Sequence, residues 1–184
     1  MRKLVATLLL IASLLASSSA PVISAGDQQH SEYEIKAAFI YNFAKFITWP
    51  ATQEDSKPAL QICVLGRNPF GDILKDLAAG KEVNGRPIEI IYRDSLGITA
   101  LPRCDIVFIS ESLRRDADTI LRQTRSQSML TIADWKSFTV EGGMIGLYLD
   151  DNKVRFQICP QTLKKANLSA SSQLLRLASV ECPG

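Results

Sequence analysis

Residues 31–50, SEYEIKAAFIYNFAKFITWP, carry a helical pattern that is apolar on two sides, so the segment has to be covered twice, by its own domain or by a partner. Ser31 with Glu34 three residues later reads as a capping box and predicts that the helix starts there. Ile35, Ala38, Phe39, Phe43, Phe46 and Ile47 make one broad stripe, and Tyr33, Ala37, Ile40, Tyr41 and Ala44 make a second. Lys36, Asn42, Lys45 and Thr48 leave a thin polar seam between them. Pro50 biases Trp49 out of the helical region and closes the segment. The second stripe predicts a contact surface at Ile40, Tyr41 and Ala44, filled by a partner or by a second copy in a homodimer.

Ahead of this helix, Arg2 and Lys3 precede the apolar run Leu4 to Ala16, and small residues follow through Ala25. That is the layout of a secretory signal peptide, with an apolar core too short to span a bilayer. Pro21 disfavours a cut after Ala20, so residues 1–25 are expected to be removed, and residues 26–184 to form one exported domain with no direct membrane insertion. The alternative is a retained N-terminal anchor, against which nothing beyond Ala25 extends the apolar run. The full chain of 184 residues has 21 Lys and Arg against 19 Asp and Glu; without Arg2 and Lys3 the count is 19 against 19. A neutral domain gives no electrostatic basis for binding nucleic acid. The densest basic cluster, Arg114, Arg115, Arg122 and Arg125, is interrupted by Asp116 and Asp118 and reads as a solvated helix face.

Beyond the polar connector from Ala51 to Pro58, the chain alternates apolar runs with helical patterns. Leu60 to Leu65 reads as a buried strand, Phe70 to Ala79 as a helix stopped by Gly80, and Pro87 to Tyr92 and Asp105 to Ile109 as two further strands. A helix from about Ser112 to Thr124 and a strand from Met129 to Ile132 follow. This order belongs to a parallel sheet with right-handed crossovers. Met144 to Leu149 and Val154 to Ile158, joined through Asp150 to Lys153, read as an antiparallel hairpin, and a helical turn over 161–166 and a closing helix from about Ser171 to Val180 end the chain. The expected fold is α/β, a three-layer α/β/α sandwich with a mixed, mostly parallel sheet.

Catalytic equipment is sparse. The single histidine, His30, lies just behind the leader, outside the expected core, which leaves no base for a Ser–His or Cys–His device. One histidine and four scattered cysteines do not make a metal site, and no cofactor or enzyme activity is expected. Gly142-Gly143-Met144-Ile145-Gly146 opens a strand rather than a helix and reads as a turn allowing close backbone approach, not a phosphate loop. Gly66-Arg67-Asn68-Pro69 lies between a strand and its helix, where open α/β sheets bind ligands, so Arg67 and Asn68, with Ser110 and Glu111 after the third strand, form a candidate small-ligand loop. The rival reading is a plain turn ahead of a proline-initiated helix. The four cysteines, Cys63, Cys104, Cys159 and Cys182, allow three pairings, and disulfides are expected in an exported chain. Cys63 and Cys104 fall on strands that are neighbours in the common doubly wound order.

Lys36-Ala37-Ala38-Phe39-Ile40-Tyr41-Asn42-Phe43-Ala44-Lys45-Phe46, closed by Trp49-Pro50, resembles the opening signature of the YfiR-like periplasmic proteins. Val154-Arg155-Phe156 and Leu174-Leu175-Arg176-Leu177-Ala178 are similar to the family's closing strand and helix, which extends the resemblance over nearly the whole exported domain. It implies a disulfide between Cys63 and Cys104, whose context is similar to a family pair. The family's second disulfide, usually drawn from the region of Thr139 to Gly146, has no cysteines here. That departure leaves Cys159 and Cys182 to pair with each other, or Cys182 as a free or intermolecular thiol at the terminus. The resemblance further implies a periplasmic regulator that represses an inner-membrane diguanylate cyclase, or a similar sensor protein, and so controls cyclic-di-GMP and biofilm formation. The competing expectation is a periplasmic protein that binds a small ligand.

Overall fold

The computed structural model describes residues 25–51, 58–94, 104–125 and 127–184. Residues 1–24, on which the expected signal peptide falls, most of the connector after Pro50 and the approach to the third long strand lie outside the described residues. Helix α1 (Ala25–Phe46) runs into a two-residue strand β1 (Ile47–Thr48). Then come β2 (Leu60–Leu65), α2 (Ile73–Ala78), β3 (Glu82–Val83), β4 (Arg86–Arg93) and β5 (Ile106–Ile109). A 3₁₀ helix over Glu111–Asp116 leads into α3 (Ala117–Thr124), β6 (Leu130–Ala133) and a second 3₁₀ turn over Lys136–Phe138. The hairpin β7 (Ile145–Asp150) and β8 (Lys153–Ile158) follows, then α4 (Pro160–Lys165), β9 (Ser169–Ala170), α5 (Ser172–Leu177) and β10 (Ser179–Val180).

Among the described residues the main sheet has eight strands in the order β10-β8-β7-β6-β5-β2-β4-β3. The β7/β8 and β3/β4 pairs are antiparallel, and the other neighbours are parallel. The fold is therefore α/β with a mixed, mostly parallel sheet. Strand alternation sorts its side chains. Leu60, Ile62 and Val64 of β2 join the core under α1, while Cys63 and Leu65 join a second core under α3. Leu74, Leu163 and Leu174 bring α2, α4 and α5 to the α1 side, so helices cover both faces. Fully burying side chains such as Phe43, Ile40 or Phe108 stabilises the fold by about 1.5–3 kcal/mol each.

Helix α1 departs from its sequence reading at both ends. It begins at Ala25, six positions before Ser31; past Gly26, residues 27–30 contain no glycine or proline, and His30 pairs with Glu34 one turn on at 3.2 Å. Ser31 is thus an exposed interior residue, and His30 stands on the helix rather than in a loose stretch. At the other end the chain turns extended before Pro50, since Ile47 and Thr48 pair with Ala170 and Ser169. The helix buries one face, formed by Lys36, Ala37, Ile40, Phe43 and Ala44, with Tyr33 partly covered beside them. Ile40 and Ala44 are 0% exposed, which corrects their assignment to a partner contact and removes the reason for expecting a homodimer through them. Tyr41 stays half-buried, with the ammonium groups of Lys45 and Lys81 at 5.3 and 4.9 Å from its ring centre.

Other boundaries also move. The helix expected from Phe70 forms only at Ile73, because Asn68 holds a turn at its entrance, and the segment from Ser112 is 3₁₀ before it is α. The closing helix stops at Leu177, and Ser179 and Val180 instead add a short parallel strand to Gln157 and Ile158. Gly143 and Gly146 answer for the glycine-rich turn: a Cβ would sit 2.2 Å from the Phe138 ring at one and 2.7 Å from the Trp135 carbonyl at the other.

Candidate functional site

The carboxyl ends of β2, β5 and β6 are where a parallel sheet ordinarily takes a ligand. Here that crevice is occupied by the chain itself. Gly66, at φ +86°, turns back under the 3₁₀ helix, and a Cβ there would lie 2.6 Å from Ser112 Oγ and 2.9 Å from Leu113 Cγ. The Arg67 amide donates to Ser112 Oγ at 2.8 Å. Asn68 Oδ1 accepts from the Phe70 amide at 2.9 Å, and its Nδ2 donates to the Gly71 carbonyl at 2.9 Å. Ser110 Oγ caps the 3₁₀ helix, accepting from the Ser112 amide at 3.5 Å and lying 3.3 Å from Ser112 Oγ. The structure thus brings Arg67, Asn68 and Ser110 to one end of the sheet, as the spacing implied, but commits Asn68, Ser110 and the Arg67 amide to holding the turns.

Over this end lies the first half of α1, fastened by charge. Lys36, 3% exposed, pairs through Nζ with both Glu32 and Asp134, the residue that follows β6. Tyr33 donates its hydroxyl to the other oxygen of Asp134 at 2.5 Å and packs its ring edge against Phe70 at 5.4 Å. Burial holds the Asp134 carboxyl above the ordinary carboxylate range, opposed by the charge and hydrogen bond of Lys36. Burial, with the hydrogen bond to Asp134, pushes the Tyr33 hydroxyl far above the ordinary phenol range. The sequence reading placed Lys36 in a polar seam, although its spacing to Tyr33, Ala37 and Ile40 already set it on the buried face. Asp134 carried no local signal.

Elsewhere on α1, Glu34, Asn42 and Lys45 face solvent, and apolar side chains are partly open beside them. Ile35 is 44% exposed and sits opposite Leu149 of the hairpin, 49% exposed, across a depression of about 340 Å³ that Val154 also lines. Farther along, Phe39, Phe46, Phe156 and Leu177 surround a groove of about 290 Å³. Its floor is an aromatic cluster, with Phe43 and Phe156 at 5.0 Å and Phe39 and Phe156 at 5.4 Å. Leu177, on the α5 wall, is 77% exposed. The polar groups that line this groove, Asn42 and Gln173, are uncharged. A groove of this kind, apolar at its centre and lined without charge, suits the side chains of another protein better than a polar metabolite. Sequence reasoning chose the right helix, but Ile40 and Ala44 are buried and Tyr41 is half-buried, while Ile35 of the other stripe is exposed and Phe39 and Phe46 are half-buried.

Two disulfides frame the arrangement. Cys63 and Cys104, with Cα atoms 6.0 Å apart, join β2 to the residues just before β5. Cys159 and Cys182, 5.0 Å apart, fasten the C-terminal tail beyond α5 to the end of β8. Among the described residues no group of three or more His, Cys, Asp or Glu side chains is placed to hold a metal ion, and no helix is long and apolar enough to cross a membrane.

No curated protein sequence matches this chain. A family model does, over residues 33–179, from the buried Tyr33 clamp to the last short strand. Nearly all of the fold just described falls inside that span, and on it the chain belongs to the YfiR/HmsC-like family.

Proposed function

We propose that this protein is a periplasmic regulator that binds the periplasmic part of an inner-membrane signalling protein, a diguanylate cyclase, and holds it inactive. The observation that carries the reading is the uncharged groove of Phe39, Phe46, Phe156 and Leu177, with Leu177 77% exposed on its wall, beside a helix whose other face is packed. Family membership supports a role in cyclic-di-GMP signalling, and the leader-like first 25 residues support export. The commitment of the Arg67 amide, Asn68 and Ser110 to holding the turns weighs against a small ligand held by those groups.

Apolar contact without charge steering makes the complex insensitive to moderate salt, because screening acts on exposed charges. A photo-crosslinking residue placed at Leu177 in intact cells tests the contact. Capture of an inner-membrane protein with a cyclase domain is expected from position 177 and not from Arg115, an exposed position on the 3₁₀ helix at the other face of the sheet. Equal capture from both positions, or none from 177, speaks against the groove.

A further inference from the structure

A second cavity, of about 520 Å³, lies between α3, the turn at Val140 to Met144, α4 and Pro183. We infer that it is a binding site for a small organic carboxylate with an apolar body, independent of the protein-binding row on α1. Its size falls in the range of small-molecule sites. The floor is built and fixed: Thr131, 1% exposed, accepts the Met144 amide on Oγ1 at 3.2 Å, and the Thr131 amide donates to Met144 Sδ at 3.5 Å. The walls are tied to that floor, since the Cys159 amide donates to the Met144 carbonyl at 2.9 Å and the Cys159–Cys182 disulfide sets Pro183 in place. Leu121, Val140 and Ala166 supply apolar surface, and Val140 is 44% exposed although it has this cavity to face.

Charge decides the ligand class. Arg125 and Lys165 both line the cavity, at the ends of α3 and α4, and among the described residues neither is ion-paired. Their neighbours in the basic cluster differ: Arg114 is paired with Glu111 and Arg122 with Asp118. The carboxylate in the lining, Glu141, is engaged elsewhere, accepting the Trp135 indole N–H at 2.9 Å and the Ser137 hydroxyl at 2.6 Å. The lining holds two cations against the single carboxylate of Glu141, and Arg125, a planar fork that matches a carboxylate, beside the apolar wall of Leu121, Val140 and Ala166 selects an anionic head on an apolar body.

Calorimetric titration of the exported domain with 3-phenylpropanoate, alongside 3-phenylpropanamide, tests the assignment. The carboxylate is expected to bind with Kd below about 1 mM, and the isosteric amide at least about tenfold more weakly. Arg125→Gln with Lys165→Gln is expected to weaken the carboxylate by at least about tenfold while leaving the melting temperature unchanged, since both side chains are exposed. Amide resonance shifts should centre on Thr131, Gly142 and Ala166. No saturable binding by about 10 mM, equal affinity for the amide, undiminished binding to the double variant, or shifts centred on Phe39 and Phe156 instead would each overturn it. None of these outcomes depends on the proposed membrane partner.

Discussion

Lys36 on the first helix and Asp134 after β6 form a buried ion pair across 98 positions of sequence, and it is the polar fastening between α1 and the carboxyl ends of the sheet. The pair fixes which face of α1 is spent on the core. It therefore also fixes which stripe, the one bearing Ile35, Phe39 and Phe46, stays partly open.

Removing one member of that pair should be costly. Lys36→Met leaves Asp134, its side chain 4% exposed, with only the Tyr33 hydroxyl, and is expected to destabilise the protein by about 3–5 kcal/mol in urea unfolding. Lys36→Met with Asp134→Leu should recover most of the loss, because apolar replacement of both partners removes the stranded charge.

Asp134 also sets a pH dependence of unusual sign. Its carboxyl titrates above its ordinary value of 3.8 when folded, so in the window from 3.8 up to the raised value the folded state binds more protons than the unfolded one. Stability from this group is fully present below 3.8 and is lost as pH rises through the folded value. Asp134→Asn, titrated beside the parent by denaturant unfolding, should gain relative stability as pH rises across that window. A relative loss over the same window would contradict the burial argument.

The disulfides should separate on reduction. Cys63 and Cys104 are 0% and 1% exposed, whereas Cys182 is part-exposed, so a mild dithiol should open Cys159–Cys182 first, as read by mass spectrometry of alkylated thiols. Cys63→Ala with Cys104→Ala should cost about 4 kcal/mol on the chain-entropy model for a sequence separation of 41.

Six of the eight strands of the main sheet, all but the two-residue β3 and β10, were the most legible part of the chain, because each reads as a short apolar run bounded by glycine, proline or charge, and β2 was legible to the residue. The hairpin and the three-layer architecture followed from the same punctuation. What stayed hidden has a common cause, dependence on distant partners. The start of α1 was misplaced because Ser31 and Glu34 fit a local capping rule that the His30–Glu34 pair and a continuing helix override. The buried face of α1 was split into two stripes because a lysine on it looked solvated until Asp134, far along the chain, supplied its charge partner. Val180 was extended into the last helix because its pairing with Ile158 is not local. The ligand loop was placed at the right end of the sheet, yet nothing in its own residues revealed that Ser112 and Leu113 fill it.

The central claim, repression of a cyclase through the open face of α1, is tested most directly by cyclic-di-GMP measured in cells lacking the gene and complemented with single variants. Leu177→Asp, at a position 77% exposed, should fold with stability within about 0.5 kcal/mol of the parent and yet fail to lower cyclic-di-GMP. Complementation with the parent should restore the low level. A folded Leu177→Asp variant that represses as well as the parent, or a nucleotide level that deletion leaves unchanged beside an intact cyclase gene, would contradict the account.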